Sequence, residues 1–149
     1  MTLTEHFSFE ELTRTGQSAL QDANRREARD YIDKLKLVAE MLEAIRAKFG
    51  AVRVNSGFRG PAVNAAVGGS ATSQHSKGEA ADIVCPSTTV DELHRWIVVE
   101  SGLKFGQCIL EKPAGSAWVH ISLGAPYRDP KKCGESLAFD GKTYTPKRY

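Results

Sequence analysis

The stretch Ser73-Gln74-His75-Ser76-Lys77-Gly78-Glu79-Ala80-Ala81-Asp82-Ile83-Val84-Cys85 decides how the chain is read. Its second half reads as a strand, in which alternate side chains face opposite sides. Ala81, Ile83 and Cys85 share one face, and Asp82 stands on the other beside the small Ala80. A carboxylate in the middle of an apolar strand is costly unless a cation or several donors meet it. His75 lies seven residues before Asp82, and Gly78 permits a tight turn that folds the loop back over the strand. A later segment, Trp118-Val119-His120-Ile121-Ser122-Leu123, alternates in the same way. Val119, Ile121 and Leu123 make its core face and leave His120 with Trp118 and Ser122 opposite. Two imidazoles and one carboxylate are a recurrent ligand set for a catalytic zinc, which keeps a fourth position open for water. His75, Asp82 and His120 are therefore the candidate metal ligands.

Outward from these segments, the rest of the chain supplies helices and short strands. Ser8-Phe9-Glu10-Glu11 and Thr89-x-x-Glu92 have the form of capping boxes, so helices are expected after Ser8 and over about Thr89 to Glu100. Tyr31, Leu35, Val38, Met41, Leu42, Ile45 and Phe49 recur at spacings of three and four, which predicts one amphipathic helix from about Arg26 to Phe49, stopped by Gly50. Its charged positions read as a solvated face. Val52 to Asn55 predicts a short strand, and Pro61 fits the first position of a small helix. A Gly- and Ser-rich loop follows over Gly68 to Ser76. Gln107 to Leu110 and Trp118 to Leu123 predict an antiparallel hairpin. Leu137 to Phe139 and Lys142 to Tyr144 predict a second one, joined by the turn Asp140-Gly141. The fold class expected is α+β, a single domain over 1–149 in which a small antiparallel sheet packs with helices.

The chain has 149 residues, with 20 Lys+Arg against 18 Asp+Glu and a net charge of +2, too small to argue for nucleic acid. Cys85, Cys108 and Cys133 are odd in number and lack a C-x-x-C pair, so reduced thiols are expected, neither a disulfide framework nor a cysteine zinc site. No run has the apolar length of a membrane span, and MTLTEHFSFEEL lacks the order of a signal peptide. The expectation is a monomer made in the cytoplasm. His6 and His94 gain no support as ligands, and His94, beside Arg95 in a helix with Glu92, is expected at the surface.

Ser73 to Asp82, in the form S-x-H-x-x-G-x-A-x-D, followed by Trp118-Val119-His120, resembles the M15 zinc metallopeptidases of the D-Ala-D-Ala carboxypeptidase and phage endolysin type. Their fold is shared with the hedgehog signalling domain. Ser56 to Pro61 and Asn64 to Gly69 also resemble the substrate-side segment of that family, and the similarity runs from about Phe7 to Leu123. The resemblance assigns the zinc ligands to His75, Asp82 and His120. It makes Arg59 the residue that binds substrate and polarises the scissile carbonyl, with Ser73 and Trp118 as further substrate contacts. Many relatives carry the acidic base three residues before the late histidine, where this chain has Ala117. Glu111, at the end of the strand paired with Trp118 to Leu123 and on the same face as Gln107 and Ile109, is the expected replacement. Glu79 is the weaker candidate and is expected to face solvent. What the resemblance implies is a peptidase of peptidoglycan stem peptides, a DD-carboxypeptidase or an L-alanyl-D-glutamate-type endopeptidase, as in a phage or prophage lysis enzyme acting on the wall after release. With most of the length so covered, substrate choice is expected to reside in the cleft and the basic tail carrying Lys131, Lys132, Lys142, Lys147 and Arg148. The alternative is a catalytically silent zinc-binding recognition module of the hedgehog-like fold.

Overall fold

The computed structural model describes residues 1–70 and 72–149; Ala71, within the predicted Gly- and Ser-rich loop, lies outside them. Its elements in chain order are α1 (Phe9–Leu12), α2 (Gln21–Ala28), α3 (Ile32–Phe49), β1 (Arg53–Ser56), α4 (Pro61–Ala66), β2 (Ala80–Val84), α5 (Val90–Val99), β3 (Phe105–Glu111), β4 (Trp118–Leu123), β5 (Glu135–Phe139) and β6 (Tyr144–Pro146), with short 3₁₀ turns between some of them. The strands form one six-stranded sheet in the order β1-β2-β4-β3-β5-β6. The expected α+β class is observed.

Alternation in the strands divides the sheet into two chemically distinct faces. Val54, Ala81, Ile83, Cys108, Leu110, Val119 and Ile121 join one buried cluster with Leu35, Val38, Ala39, Leu42 and Ile45 of α3 and Leu93 and Ile97 of α5. Burial of this apolar surface is the main favourable term holding the sheet to its two helices. The opposite face carries Asp82, Ile109, Glu111, Trp118 and His120. Cys85 and Cys108 behave as small hydrophobes: both are buried and unbridged, and burial pushes the Cys85 thiol up to about 11.

Several local expectations are corrected. The helix predicted from Arg26 is two helices, because Arg29–Tyr31 tightens into a 3₁₀ turn. That break sets Tyr31 against Phe58, ring centroids 5.3 Å apart, while Asn24 and Ala28 supply the buried side of α2. Each capping box is realised on its hydroxyl side: Ser8 accepts from the Glu11 amide and Thr89 from the Glu92 amide, but Glu92 turns its carboxylate to Arg95. The Asp140-Gly141 turn spans four residues, since Phe139 pairs with Tyr144 and Asp140 Oδ1 accepts from the Lys142 and Thr143 amides. The sheet is mixed, with β3 and β5 parallel. β4 occupies one edge of β3 and ends opposite Phe105, so the chain crosses there, held by the Gly134 amide on the Phe105 carbonyl, and returns along the free edge in the direction of β3.

His94 is fully buried, contrary to the surface position expected from its charged neighbours. Val90, Leu93, His94 and Ile97 lie at the spacings that line one helical face, and this is the face α5 turns to the sheet. The imidazole is satisfied there, with Nε2–H donating to the Cys108 carbonyl at 3.0 Å and Nδ1 accepting from the Tyr149 hydroxyl at 2.6 Å. His6 is exposed and pairs with Glu43.

Candidate metal centre and active-site cleft

The three candidate ligands converge by strand register and one tight turn. β2 and β4 pair antiparallel with Asp82 directly opposite His120, so their side chains emerge together on the open face. His75 sits in the 3₁₀ turn Gln74–Lys77, which Gly78 ends in the left-handed region at φ 69°. A Cβ there would come within 2.9 Å of Tyr31 Cβ, so both conformation and space require glycine. The result places one ligand atom each from His75, Asp82 and His120 within 4.8 Å of one another, and all three residues are nearly buried.

Protonation states follow from the outer hydrogen bonds. His75 Nδ1–H donates to the Gly57 carbonyl at 2.8 Å, and His120 Nε2–H donates to Gln74 Oε1 at 2.7 Å. Each imidazole turns its other nitrogen inward, His75 Nε2 at 3.2 Å and His120 Nδ1 at 3.0 Å from the same Asp82 oxygen, where it can carry a proton towards Asp82 or, with that proton gone, a lone pair towards a cation. Burial alone would raise the Asp82 pKa, but the charge of His75 and the hydrogen bonds from His120 and His75 hold it well below the carboxylate range. Two lone pairs and an ionised carboxylate converging out of solvent are a donor set for a cation, with outer partners fixing each ring as they do at metal-bound imidazoles. The residues present thus fit a divalent metal. Gln74 and the Gly57 carbonyl were not foreseen: Gln74 occupies a free position of the motif, and a backbone carbonyl leaves no trace in the sequence.

Arg59 is placed by backbone clamps. Its amide donates to the His75 carbonyl at 3.1 Å, and buried Asn24 grips the residues on either side, donating to the Phe58 carbonyl and accepting from the Gly60 amide. Its Nη2 donates to the Ser73 hydroxyl at 3.3 Å, which also caps the His75 turn. Ser73 thus sits behind the arginine. Arg59, Asp82, Ala117 and Trp118 line a cleft of about 550 Å³.

Glu111 pairs with Trp118 across the hairpin, one row along from Ile109 and His120, and its Oε2 accepts from the Trp118 indole N–H. Burial, then the negative charge of Asp82, raises the Glu111 pKa, against lowering by His120, the Trp118 hydrogen bond and Arg59. Register thus brings Glu111 to the metal side of the sheet as expected. Glu79 does not face solvent. Alternation from Asp82 puts it on the other face, where it is buried and paired with Lys34 of α3 at 2.6 Å.

Two imidazoles and a carboxylate in ligand geometry, a second carboxylate with a raised pKa on the same face of the sheet and an arginine in the cleft that Asp82 lines make the constellation of a metallohydrolase. A family model described as Peptidase M15 matches residues 5–122, most of the chain. The chain belongs to the Peptidase M15 family. No curated protein matches it.

Proposed function

We propose that the protein is a zinc-dependent peptidase that hydrolyses peptidoglycan stem peptides, as a DD-carboxypeptidase or an L-alanyl-D-glutamate-type endopeptidase. The observation that carries this reading is the inward convergence of His75 Nε2, His120 Nδ1 and ionised Asp82 beside Glu111 and Arg59, in a chain of the M15 family.

The roles follow from the geometry. His75, Asp82 and His120 would hold zinc, which supplies a Lewis acid able to polarise a carbonyl and to acidify water. Gly57 and Gln74 keep both imidazoles in the tautomer that presents a lone pair inward. Trp118 fixes Glu111 Oε2 and leaves Oε1 to take the proton of the attacking water and pass it to the leaving amine. Arg59, a planar cation that stays charged at any working pH, binds the substrate carbonyl or carboxylate oxygen across the cleft. Ala117 lines the same cleft and offers no acid, so the base falls to Glu111. A silent recognition module would need no such carboxylate beside its metal.

Use as a phage or prophage lysis enzyme, reaching the wall after release from the cytoplasm, belongs to this proposal. The test is incubation of purified murein with the zinc-loaded protein and separation of the fragments by mass. New amino termini or released D-alanine are expected; their absence with full zinc occupancy would sink the reading in favour of the silent module.

A further inference from the structure

The cleft does not end at Arg59. A second cavity of about 250 Å³ shares Asn55, Ser56 and Arg59 with the first and continues it to Arg14, while containing none of the three metal ligands. Arg53 projects from β1 into the larger cavity. Three arginines therefore line two adjoining cavities, and the one acidic residue in the lining of either is Asp82, whose charge faces the two histidines. Among the described residues, Arg14, Arg53 and Arg59 form no ion pair, whereas Arg95 and Arg128 are each paired with glutamate. Arg59 Nε is buried and has no hydrogen-bond partner in the protein. A buried donor without an acceptor is costly, and a concave surface lined by unpaired positive charge concentrates anions. Arg59 lines both cavities, the one that Asp82 lines and the one that reaches Arg14.

We infer that the cavity between Arg14 and Arg59 is a subsite for a second carboxylate of the substrate, distinct from the group held at the metal centre, so that the preferred substrate is an acidic peptide. This rests on the peptidase reading above and names its substrate class. The planar forks of two arginines match a carboxylate in a way that a neutral amide does not. The subsite therefore discriminates by charge between a stem peptide with a free glutamate α-carboxylate and the same peptide amidated there.

Binding of L-alanyl-γ-D-glutamyl-L-lysine to the zinc-loaded full chain, measured by calorimetry beside its glutamate α-amide, tests this independently of hydrolysis. The free acid is expected to bind about fivefold more tightly than the amide, with a preference that shrinks as salt is added. Arg14→Gln should lower the affinity for the acid to that for the amide and leave the amide unchanged, and Arg14→Lys should restore part of the preference. Arg29→Gln, at an exposed position in the 3₁₀ turn Arg29–Tyr31, controls for net charge and should change neither. Equal binding of acid and amide by the parent, an undiminished preference in Arg14→Gln, or no binding of either peptide overturns the subsite. If murein is not cut yet the Arg14-dependent preference persists, the peptidase reading fails and the subsite stands. If murein is cut and Arg14→Gln binds as the parent does, the subsite alone fails.

Discussion

Replacing Glu111 by glutamine separates the proposed chemistry from everything else the residue does. The amide is the same size and its oxygen can still accept from the Trp118 indole, so the contact that ties β3 to β4 at this end survives. What disappears is the ability to take a proton. A positioned general base contributes about 10²–10⁴-fold to rate, and a loss of that size in kcat is expected, with zinc content unchanged because Glu111 is outside the ligand set. The raised pKa supplies a second readout. In the parent, activity should fall on acidification through a pKa above the ordinary glutamate value, and that limb should vanish from the residual activity of Glu111→Gln. Stability moves the other way. A carboxyl whose folded pKa lies above its unfolded value binds more protons in the native state within that window, so stability declines as pH rises through it and stays lower above it. The glutamine variant escapes this penalty and should melt at or above the parent temperature at neutral pH. A variant with full zinc occupancy and kcat within about tenfold of the parent would refute Glu111 as the base.

Gln74→Ala removes the acceptor for His120 Nε2–H and should weaken metal binding by about 10–100-fold in competition with a chelator, since outer partners of ligating imidazoles have effects of that size. Gly57→Ala would force a Cβ to within 2.2 Å of the Leu12 carbonyl oxygen, and a loss of about 1–3 kcal/mol in denaturant unfolding is expected, with looser metal because the same residue orients His75. Burial lowers the His94 pKa, so its contribution to stability is present above the unfolded value of about 6.5 and is lost as pH falls below it. Melting curves of His94→Phe should lack that acid-side decline. Trp118→Phe deletes the donor to Glu111 Oε2, which should move the acidic limb of the rate profile to higher pH while zinc stays bound.

The strand residues of the site were legible in the sequence because they stand where alternation makes a polar group expensive, whereas His75 lies in a 3₁₀ turn and Arg59 in the loop before α4. Asp82 and His120 interrupt apolar strands, and the antiparallel register then sets them opposite one another. Glu111 was legible for the same reason, being two positions on from Ile109. Reading failed where local context and tertiary context disagreed. His94 has charged sequence neighbours, but its place on the α5 face is fixed by the spacing of Val90, Leu93 and Ile97, and burial wins there because both ring nitrogens find partners. Glu79 precedes its strand in a polar run and reads as solvated; Lys34, 45 positions away in the chain, makes burial tolerable. The parallel β3–β5 pair depends on which edge of the hairpin remains open, which no local pattern encodes.

The absence of an acid at Ala117 also has a structural counterpart. Position 117 lies just before β4, at the mouth of the cleft, where a side chain reaches the metal side only if the loop holds it there. Glu111 is placed by the hairpin ladder itself, through the Glu111–Trp118 pair adjacent to Ile109–His120 in the same face. A carboxylate on a paired strand is positioned by backbone hydrogen bonds on both sides, since β5 pairs Phe139 with the same residue. In the role proposed for it, Glu111 gains rigidity and depends on register: a slip of one residue in β3 would send Glu111 into the core and Leu110 towards the candidate ligands. The bulge between Phe105 and Cys108 lies at the other end of the strand and leaves the ladder regular from Cys108 to Glu111, the part that aims the carboxylate.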